Sequence, residues 1–270
     1  MAWTGATMHI VKRVLTIIGG LLLLLVLAVA ALALTVRARP AATVLDLAPA
    51  AAQAPDPRPV LVFGASGALG VELVKALRAR GQPVTAAVRA SSDRSQLTPL
   101  GVTFVVADVL DAPAVAAALH GADYQAVIST VGCLRCEPSP DFLGNRNIID
   151  AAKAAGVRRM IMVTSIGTGD SYDSINLITR VMLRRSLPLK TMAEDYLRGS
   201  GLDYTIIRPG GLRGPGKAPS GQGYLSEDRH AFGFIHRADL ARLMVAALDD
   251  PHSIGRTLAA MDPGIRSPWQ

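Results

Sequence analysis

Val60-Leu61-Val62-Phe63, an apolar run of the length of one buried strand, passes without interruption into Gly64-Ala65-Ser66-Gly67-Ala68-Leu69-Gly70, and a helical pattern continues over 71–80. Strand, glycine turn and helix in that order constrain the chain to an α/β arrangement. Gly64 permits a tight turn at the strand end. Gly67 lets a pyrophosphate approach the backbone, and Gly70 lets the helix sit close on the strand. Unpaired N–H groups at the helix start suit phosphate charge, so the turn from Gly64 through Ala65, Ser66, Gly67, Ala68 and Leu69 to Gly70 is expected to hold a dinucleotide. The competing reading is a plain strand-loop-helix junction.

Further apolar runs at 84–88, 102–107, 126–129, 160–163 and 204–207 alternate with helical patterns at 112–120, 142–155, 189–198 and 238–248. Short strands separated by helices predict a parallel sheet covered on both faces. Right-handed crossovers then bring every strand's C-terminal end to one edge, where ligands of such sheets bind. Residues 60–270 suit a single domain with a sizeable core.

Functional residues are therefore expected just after the strands. Arg89 follows the second strand, where a carboxylate would hold a ribose 2′-hydroxyl; an arginine suits a 2′-phosphate, with Arg94 near enough to help. This favours NADP(H) over NAD(H). Asp108 and the backbone of Val109, after the third strand, are placed for the adenine, although Asp108 could equally cap the helix that follows. Ser129, Thr130, Val131 and Gly132, after the fourth strand, would pass under the ribose and nicotinamide.

The N-terminal part differs in kind. Lys12 and Arg13 precede Val14–Val36, which carries no charge until Arg37 and contains a solid leucine run, Leu21 to Leu25. About 23 residues make roughly 34 Å of helix, enough for a hydrocarbon core of about 30 Å, and longer than the apolar part of a secretory signal. The expectation is a short tail at 1–13, a transmembrane helix at 14–36 that meets the lipid bilayer, and an Ala/Pro-rich spacer at 37–59. Charges flanking the span are nearly balanced and leave orientation open.

The formal net charge of +7 invites a nucleic-acid reading. Lys and Arg are scattered, however, apart from Arg158-Arg159 and Arg184-Arg185, and aromatic residues are few, so neither a stacking platform nor a recognition helix stands out. The two cysteines form Cys133-Leu134-Arg135-Cys136 after the fourth strand. Reduced loop thiols, a redox pair helped by Arg135, and a metal site compete as readings. About four ligands would be needed for a metal and no second pair or histidine cluster accompanies these two, so no metal is expected.

Taken in order, GASGALG, Ala107-Asp108, Ser129-Thr130-Val131-Gly132, Val163-Thr164-Ser165 and Thr205-Ile206-Ile207-Arg208-Pro209-Gly210-Gly211 resemble the atypical short-chain dehydrogenase/reductases. The segment looks most like their NmrA-like, NAD(P)-binding branch, which includes biliverdin/flavin reductase-like proteins and chloroplast relatives. The resemblance covers Val60 to about Met261 and leaves out the N-terminal helix. It implies a Rossmann-type doubly wound sheet, with Pro209 and Gly210 among the cofactor contacts. It also implies that Ser165 and Lys190 stand at the catalytic positions, Lys190 holding the nicotinamide ribose.

Catalytic members of that family use a Tyr-x-x-x-Lys pair as proton donor. Here the residue four before Lys190 is Ser186, and none of the five tyrosines is followed four residues later by lysine. Tyr172, in the loop after Ser165, is one candidate substitute. Glu194 stands one turn after Lys190, at the spacing of a helix-surface ion pair. His236, at a strand end leading into the last helix, reads as structural, together with Asp239.

Two functions fit these residues. One is an NADPH-dependent reductase of a small hydrophobic, quinone-like or flavin-like acceptor, tethered at a membrane. The other is a non-catalytic NADP(H)-binding subunit or assembly factor of a membrane protein complex. Because NADP(H) is held in the cytosol, stroma or matrix, the soluble domain is expected on that side; an exported domain would instead make a Cys133–Cys136 disulfide plausible.

Overall fold

The computed structural model describes residues 5–35, 37–46, 56–214 and 218–266. They fall into two units, residues 1–37 and 38–270. The first holds one helix, α1 (Gly5–Thr35). Its segment Met8–Ala31 is long and apolar enough to cross a membrane by length and composition, and is not buried against protein. The helix begins before the charged pair Lys12-Arg13 rather than after it; Val36, the last residue of the expected span, lies outside the described residues.

The second unit is built on strands β1 (Val60–Phe63), β2 (Val84–Val88), β3 (Thr103–Val106), β4 (Ala126–Ser129), β5 (Arg159–Val163), β6 (Asp203–Pro209), β7 (Gly211–Arg213), β8 (Tyr224–Ser226), β9 (Phe234–His236) and β10 (Arg256–Met261). Between them run helices α2 (Ala68–Ala79), α3 (Ala112–Leu119), α4 (Leu143–Ala154), α5 (Leu177–Leu183), α6 (Ser186–Arg198) and α7 (Arg237–Asp249). Eight strands form one sheet in the order β3-β2-β1-β4-β5-β6-β10-β8, parallel except for β8, which runs antiparallel to β10; β7 and β9 pair separately.

The doubly wound character is visible in β1 itself. Val60 and Val62 join one core with Leu73, Val74 and Leu77 of α2 and Met244 and Leu248 of α7. Leu61 and Phe63 join the other with Val115 of α3, Ile148 and Ile149 of α4 and Leu197 of α6. A strand buried on both faces has no polar side, which is why its sequence reads as continuous apolar residues rather than alternation.

Residues 38–46, expected as part of a spacer, are instead hydrogen-bonded to the domain. Arg39 exchanges backbone bonds with Phe232 at 2.6 and 2.9 Å, and Leu45 N–H donates to Leu225 O at 2.8 Å. The Ala42 N–H donates to Asp228 Oδ2 at 3.0 Å, which heads the contacts holding that carboxyl below its ordinary range. This strap lies along β8, the outer strand of the sheet. Covering an edge protects its unpaired backbone groups from association with other chains. The rest of the expected spacer up to residue 55 falls outside the described residues.

Arg159, half of a basic pair in the sequence, is not a surface cation. Its guanidinium donates to Asp203 O at 2.8 Å, Ala247 O at 2.6 Å and Thr205 Oγ1 at 2.9 Å, tying β5 and β6 to α7. Burial pushes its pKa down to about 10, against the pull of Asp203, Asp249 and Asp250, so it remains a cation at neutral pH.

Candidate functional site

Strand order reverses between β1 and β4, the two strands that flank the start of the fold. A cleft of about 350 Å³ opens there, at the C-terminal edge. It is lined by Gly64, Ser66 and Gly67 of the glycine turn, by Arg89 and Ser92 after β2, and by Asp108 and Val109 after β3. Thr130, Val131, Gly132 and the two cysteines after β4 complete its wall. One crevice thus brings together the residues expected at four strand ends.

The turn explains its own glycines. Gly64 has φ 77°, and a Cβ on it would stand 2.7 Å from Thr130 Oγ1. On Gly70 a Cβ would collide with the Gly64 carbonyl oxygen and lie 2.7 Å from Ala65 Cα. Gly67 is different: its φ of −73° and ψ of 160° suit any residue, and a Cβ would meet only Gly64 O, at 3.2 Å. Conformation does not require glycine there, and the protein resists a side chain only through that one tight backbone contact. Gly67 is also exposed in the cleft, where a side chain would stand in the way of a ligand. It also caps α2 without any side-chain hydrogen bond, leaving the helix N-terminus to face anionic groups.

Ala65 and Leu69 are buried in the core that joins α2 to the sheet, so they shape the turn without lining the cleft; Ala68 borders a different depression. Arg89 is exposed, its backbone N–H donating to Ser92 Oγ at 3.1 Å. Arg94 lies over the Phe104 ring, 5.3 Å from its centroid, and is not among the residues lining the cleft. Asp108 accepts from Leu110 N–H at 3.0 Å, but it is Asp111 that caps α3, accepting from Ala114 N–H at 3.1 Å. The capping alternative for Asp108 thus falls to its neighbour. The Val109 carbonyl is taken by Asn147 Nδ2 at 2.9 Å.

Ser129 does not reach the cleft. It is fully buried, donating to Asn145 Oδ1 at 2.6 Å and accepting from Val131 N–H at 3.3 Å, and so supports the loop from beneath. Thr130 fixes the loop's start by donating to the Phe63 and Gly64 carbonyls at 3.1 and 3.2 Å. Pro209 and Gly210 also stay out. The Pro209 carbonyl accepts from Ile166 N–H at 3.0 Å, and Gly210 packs against the backbone of Gly233.

The Lys190 Nζ donates to Asp141 Oδ1 at 2.8 Å, and both stand at about 3 Å from where a Gly132 Cβ would be. This places the lysine beside the cleft's loop, where Asp141 was not foreseen as its partner. Glu194 instead accepts from Thr164 Oγ1 at 2.6 Å, Arg208 at 2.6 and 3.0 Å and Arg198 at 2.9 Å. The spacing of Lys190 and Glu194 would allow a helix-surface pair, but Glu194 faces inward and is spent on the sheet edge. Ser165 Oγ donates to Ile166 O at 3.0 Å. Tyr172 is exposed under the Arg180 guanidinium, 4.5 Å from its ring centroid, outside the cleft. His236 is buried at the N-cap of α7, where its side chain makes no capping hydrogen bond, while Asp239 accepts from Ser220 and Gly221 N–H at 2.9 and 3.1 Å.

Cys133 and Cys136 are joined by a disulfide, with Cα atoms 5.6 Å apart. The reading as two reduced thiols is corrected accordingly. No group of metal-ligating side chains occurs among the described residues.

Residues 64–251 match the family described as NAD(P)H-binding. The chain is 33% identical to an uncharacterized sugar epimerase, YhfK of Bacillus subtilis, over 205 residues, covering 73% of this chain and 91% of that one. Sanguinarine reductase of Eschscholzia californica is 38% identical over 114 residues, 40% of each chain. An uncharacterized chloroplastic protein of Arabidopsis thaliana is 32% identical over 185 residues; the match spans 60% of this chain and only 56% of the relative. Among solved structures, the anaerobillin reductase ChuY of Escherichia coli superposes with a TM-score of 0.69 at 34% identity, covering 77% of this chain and 98% of the other.

Proposed function

This chain belongs to the NAD(P)H-binding family, with the Rossmann fold of the atypical short-chain dehydrogenase/reductases, and on that premise we propose an NADPH-dependent reductase of a small hydrophobic acceptor, quinone-like or flavin-like, held at a membrane by α1. The observation that carries it is Gly67, an exposed glycine with a backbone conformation open to any residue, at a helix N-terminus in a cleft that also gathers Arg89, Asp108 and Thr130. The turn fits a pyrophosphate. Arg89 with Ser92 fits a 2′-phosphate, which favours NADP(H) over NAD(H). Asp108 would take the adenine and Lys190 the ribose on the far side of the β1/β4 reversal.

When bound, NADPH supplies a hydride. The chain's own residues bind and orient: the glycine turn neutralises phosphate charge, and Lys190, fixed by Asp141, holds a hydroxyl. Without a Tyr-x-x-x-Lys pair the cleft has little to offer a substrate that needs strong acid catalysis. An acceptor with its own low-lying site for hydride, such as a quinone, flavin or conjugated enone, needs little from the protein beyond position. Reductase relatives support the reductase part of this reading.

Helix α5 supports the apolar character of the acceptor. It exposes Leu177, Ile178, Val181 and Met182, and Arg185, just past its end, pairs with Glu137 in the cleft's loop at 3.2 Å. In this reading α1 makes the protein single-pass, with the cofactor domain facing the compartment that holds NADP(H). A second reading, a non-catalytic NADP(H)-binding subunit of a membrane complex, is favoured by the missing proton donor. The test is NADPH oxidation by the full-length protein in lipid nanodiscs against a panel of quinones, flavins and enones. Turnover with at least one class supports the reductase; tight NADPH binding with no turnover supports the subunit. Protease protection in sealed vesicles tests the orientation.

A further inference from the structure

The cofactor cleft has one wall with covalent chemistry of its own. The loop after β4 is fixed at its start by Thr130, bonded to the Phe63 and Gly64 carbonyls, and at its end by Asp141, bonded to Lys190. Between these two anchors lie the Cys133–Cys136 disulfide and the ion pair of Glu137 with Arg185, both of whose side chains are largely exposed. An exposed pair of this kind contributes little order. The disulfide is therefore what holds the shape of the segment, and that segment presents Cys133, Cys136, Pro138 and Pro140 to the cleft.

We propose that Cys133–Cys136 is a thiol–disulfide exchange site that couples the redox state of a dithiol reductant to dinucleotide affinity in the cleft. Cys136 is exposed to solvent and Cys133 half-buried, so Cys136 is the sulfur open to attack. A thiolate of the dithiol bonds to Cys136 Sγ, the Cys133–Cys136 bond breaks, and Cys133 leaves as a thiolate that takes up a proton. The second thiol of the reductant then attacks its own sulfur in the mixed disulfide, and Cys136 leaves as the second thiol. Two electrons and two protons pass to the pair, and the dithiol ends as a disulfide. Arg135, exposed between the two cysteines, adds a positive charge that favours the thiolate.

The direction of coupling follows from order. With the disulfide intact, the wall of the cleft is preorganised; once it is reduced, the loop between Thr130 and Asp141 has more conformations to lose on binding. The reduced protein therefore binds the dinucleotide more weakly. Coupling is reciprocal, so bound dinucleotide makes the disulfide harder to reduce by the same factor. Strand order adds a spatial prediction. Arg89 and Asp108 follow β2 and β3 on one side of the β1/β4 reversal, and the cysteine loop follows β4 on the other. A ligand confined to the first side should not sense the switch.

This inference rests on the cofactor reading above, and the test separates the two. Full-length protein in nanodiscs is titrated calorimetrically with NADP⁺ and with adenosine 2′,5′-bisphosphate, oxidised and after treatment with dithiothreitol; alkylation and mass measurement report the state of the thiols. The expected result is NADP⁺ binding weaker by about fivefold or more in the reduced protein, with the bisphosphate unchanged. The double variant C133S/C136S should behave as the reduced form whether or not dithiothreitol is present. Equal NADP⁺ affinity in both states overturns the exchange site and leaves the cofactor reading intact. A dithiothreitol effect that persists in the double variant also overturns it. No NADP⁺ binding in either state overturns the cofactor reading and this inference with it.

Discussion

The ammonium of Lys190 lies 2.8 Å from Oδ1 of Asp141, a carboxylate with 0% of its side chain exposed, while the lysine itself is 14% exposed. Ser139 Oγ donates to the other carboxylate oxygen at 3.1 Å. The pair joins α6 to the loop that leaves β4, and so ties the lysine position of the family pattern to the wall of the cleft.

Removing the lysine alone leaves a buried carboxylate without its cation. Lys190→Met is expected to destabilise the fold by about 3 kcal/mol or more, and the double variant K190M/D141N to recover most of that loss. Thermal unfolding of the two variants checks this. A single variant as stable as the parent would mean the pair is not formed in solution.

Cofactor choice rests on Arg89. Arg89→Asp should weaken NADPH binding by about 1.5–3 kcal/mol while sparing NADH, because only the former carries the 2′-phosphate. Titration of both nucleotides against both proteins gives the answer. Equal affinities for NADPH and NADH in the unsubstituted protein contradict the assignment.

The three glycines of the turn separate by role. Gly67→Val should abolish dinucleotide binding with the fold retained by circular dichroism, since a side chain there enters the cleft and meets the protein only at the Gly64 carbonyl oxygen, 3.2 Å from its Cβ. Gly70→Val should lower stability outright, because its Cβ would run into the Gly64 carbonyl. Nucleotide binding retained in Gly67→Val would place the phosphates elsewhere.

Much of this was legible beforehand, for a physical reason. Val84–Val88, Ala126–Ser129 and Ala112–Leu119 sit within a residue of their expected bounds because buried parallel strands and the helices that cover them carry strong patterns. What escaped is short or weakly patterned. Strand β10 reads Arg-Thr-Leu-Ala-Ala-Met, poor in β-branched residues, and β8 has three residues; both owe their form to neighbours distant in sequence. Helix α5 has no buried residue to give it a period. Ser129 and Pro209 end the right strands and Gly210 follows one, yet all three bond within the sheet edge, since position at a strand end does not say which way a residue's polar groups point. The partners Asp141 and Arg208 lie far along the chain from Lys190 and Glu194, and no local spacing announces them.

Acid stability should carry the signature of Asp170. Burial works against its ionisation, but the hydrogen bond and charge of Arg208, joined by Arg198 and Arg229, hold its carboxyl below the ordinary value of 3.8. A carboxyl lowered in the folded state contributes stability above about pH 4, and that contribution is lost as pH falls through the folded value. With 59% of the side chain exposed the effect is small, below about 1 kcal/mol. Asp170→Asn should flatten this acid limb in denaturant titrations between pH 5 and pH 3. An unchanged acid limb would remove Asp170 from the linkage.

Hydride transfer is tested most directly by following the label from NADPH deuterated at the transferring carbon, under single-turnover conditions, with the full-length protein in nanodiscs and the best acceptor of the quinone, flavin and enone panel. Acceptors whose reduced form keeps the label on carbon, the enones, make the reading unambiguous by mass. The expected result is one deuterium in the reduced product and none when Gly67→Val replaces the native protein. Bound NADPH that stays unoxidised with every acceptor, or a reduced enone formed without label, would contradict a reductase.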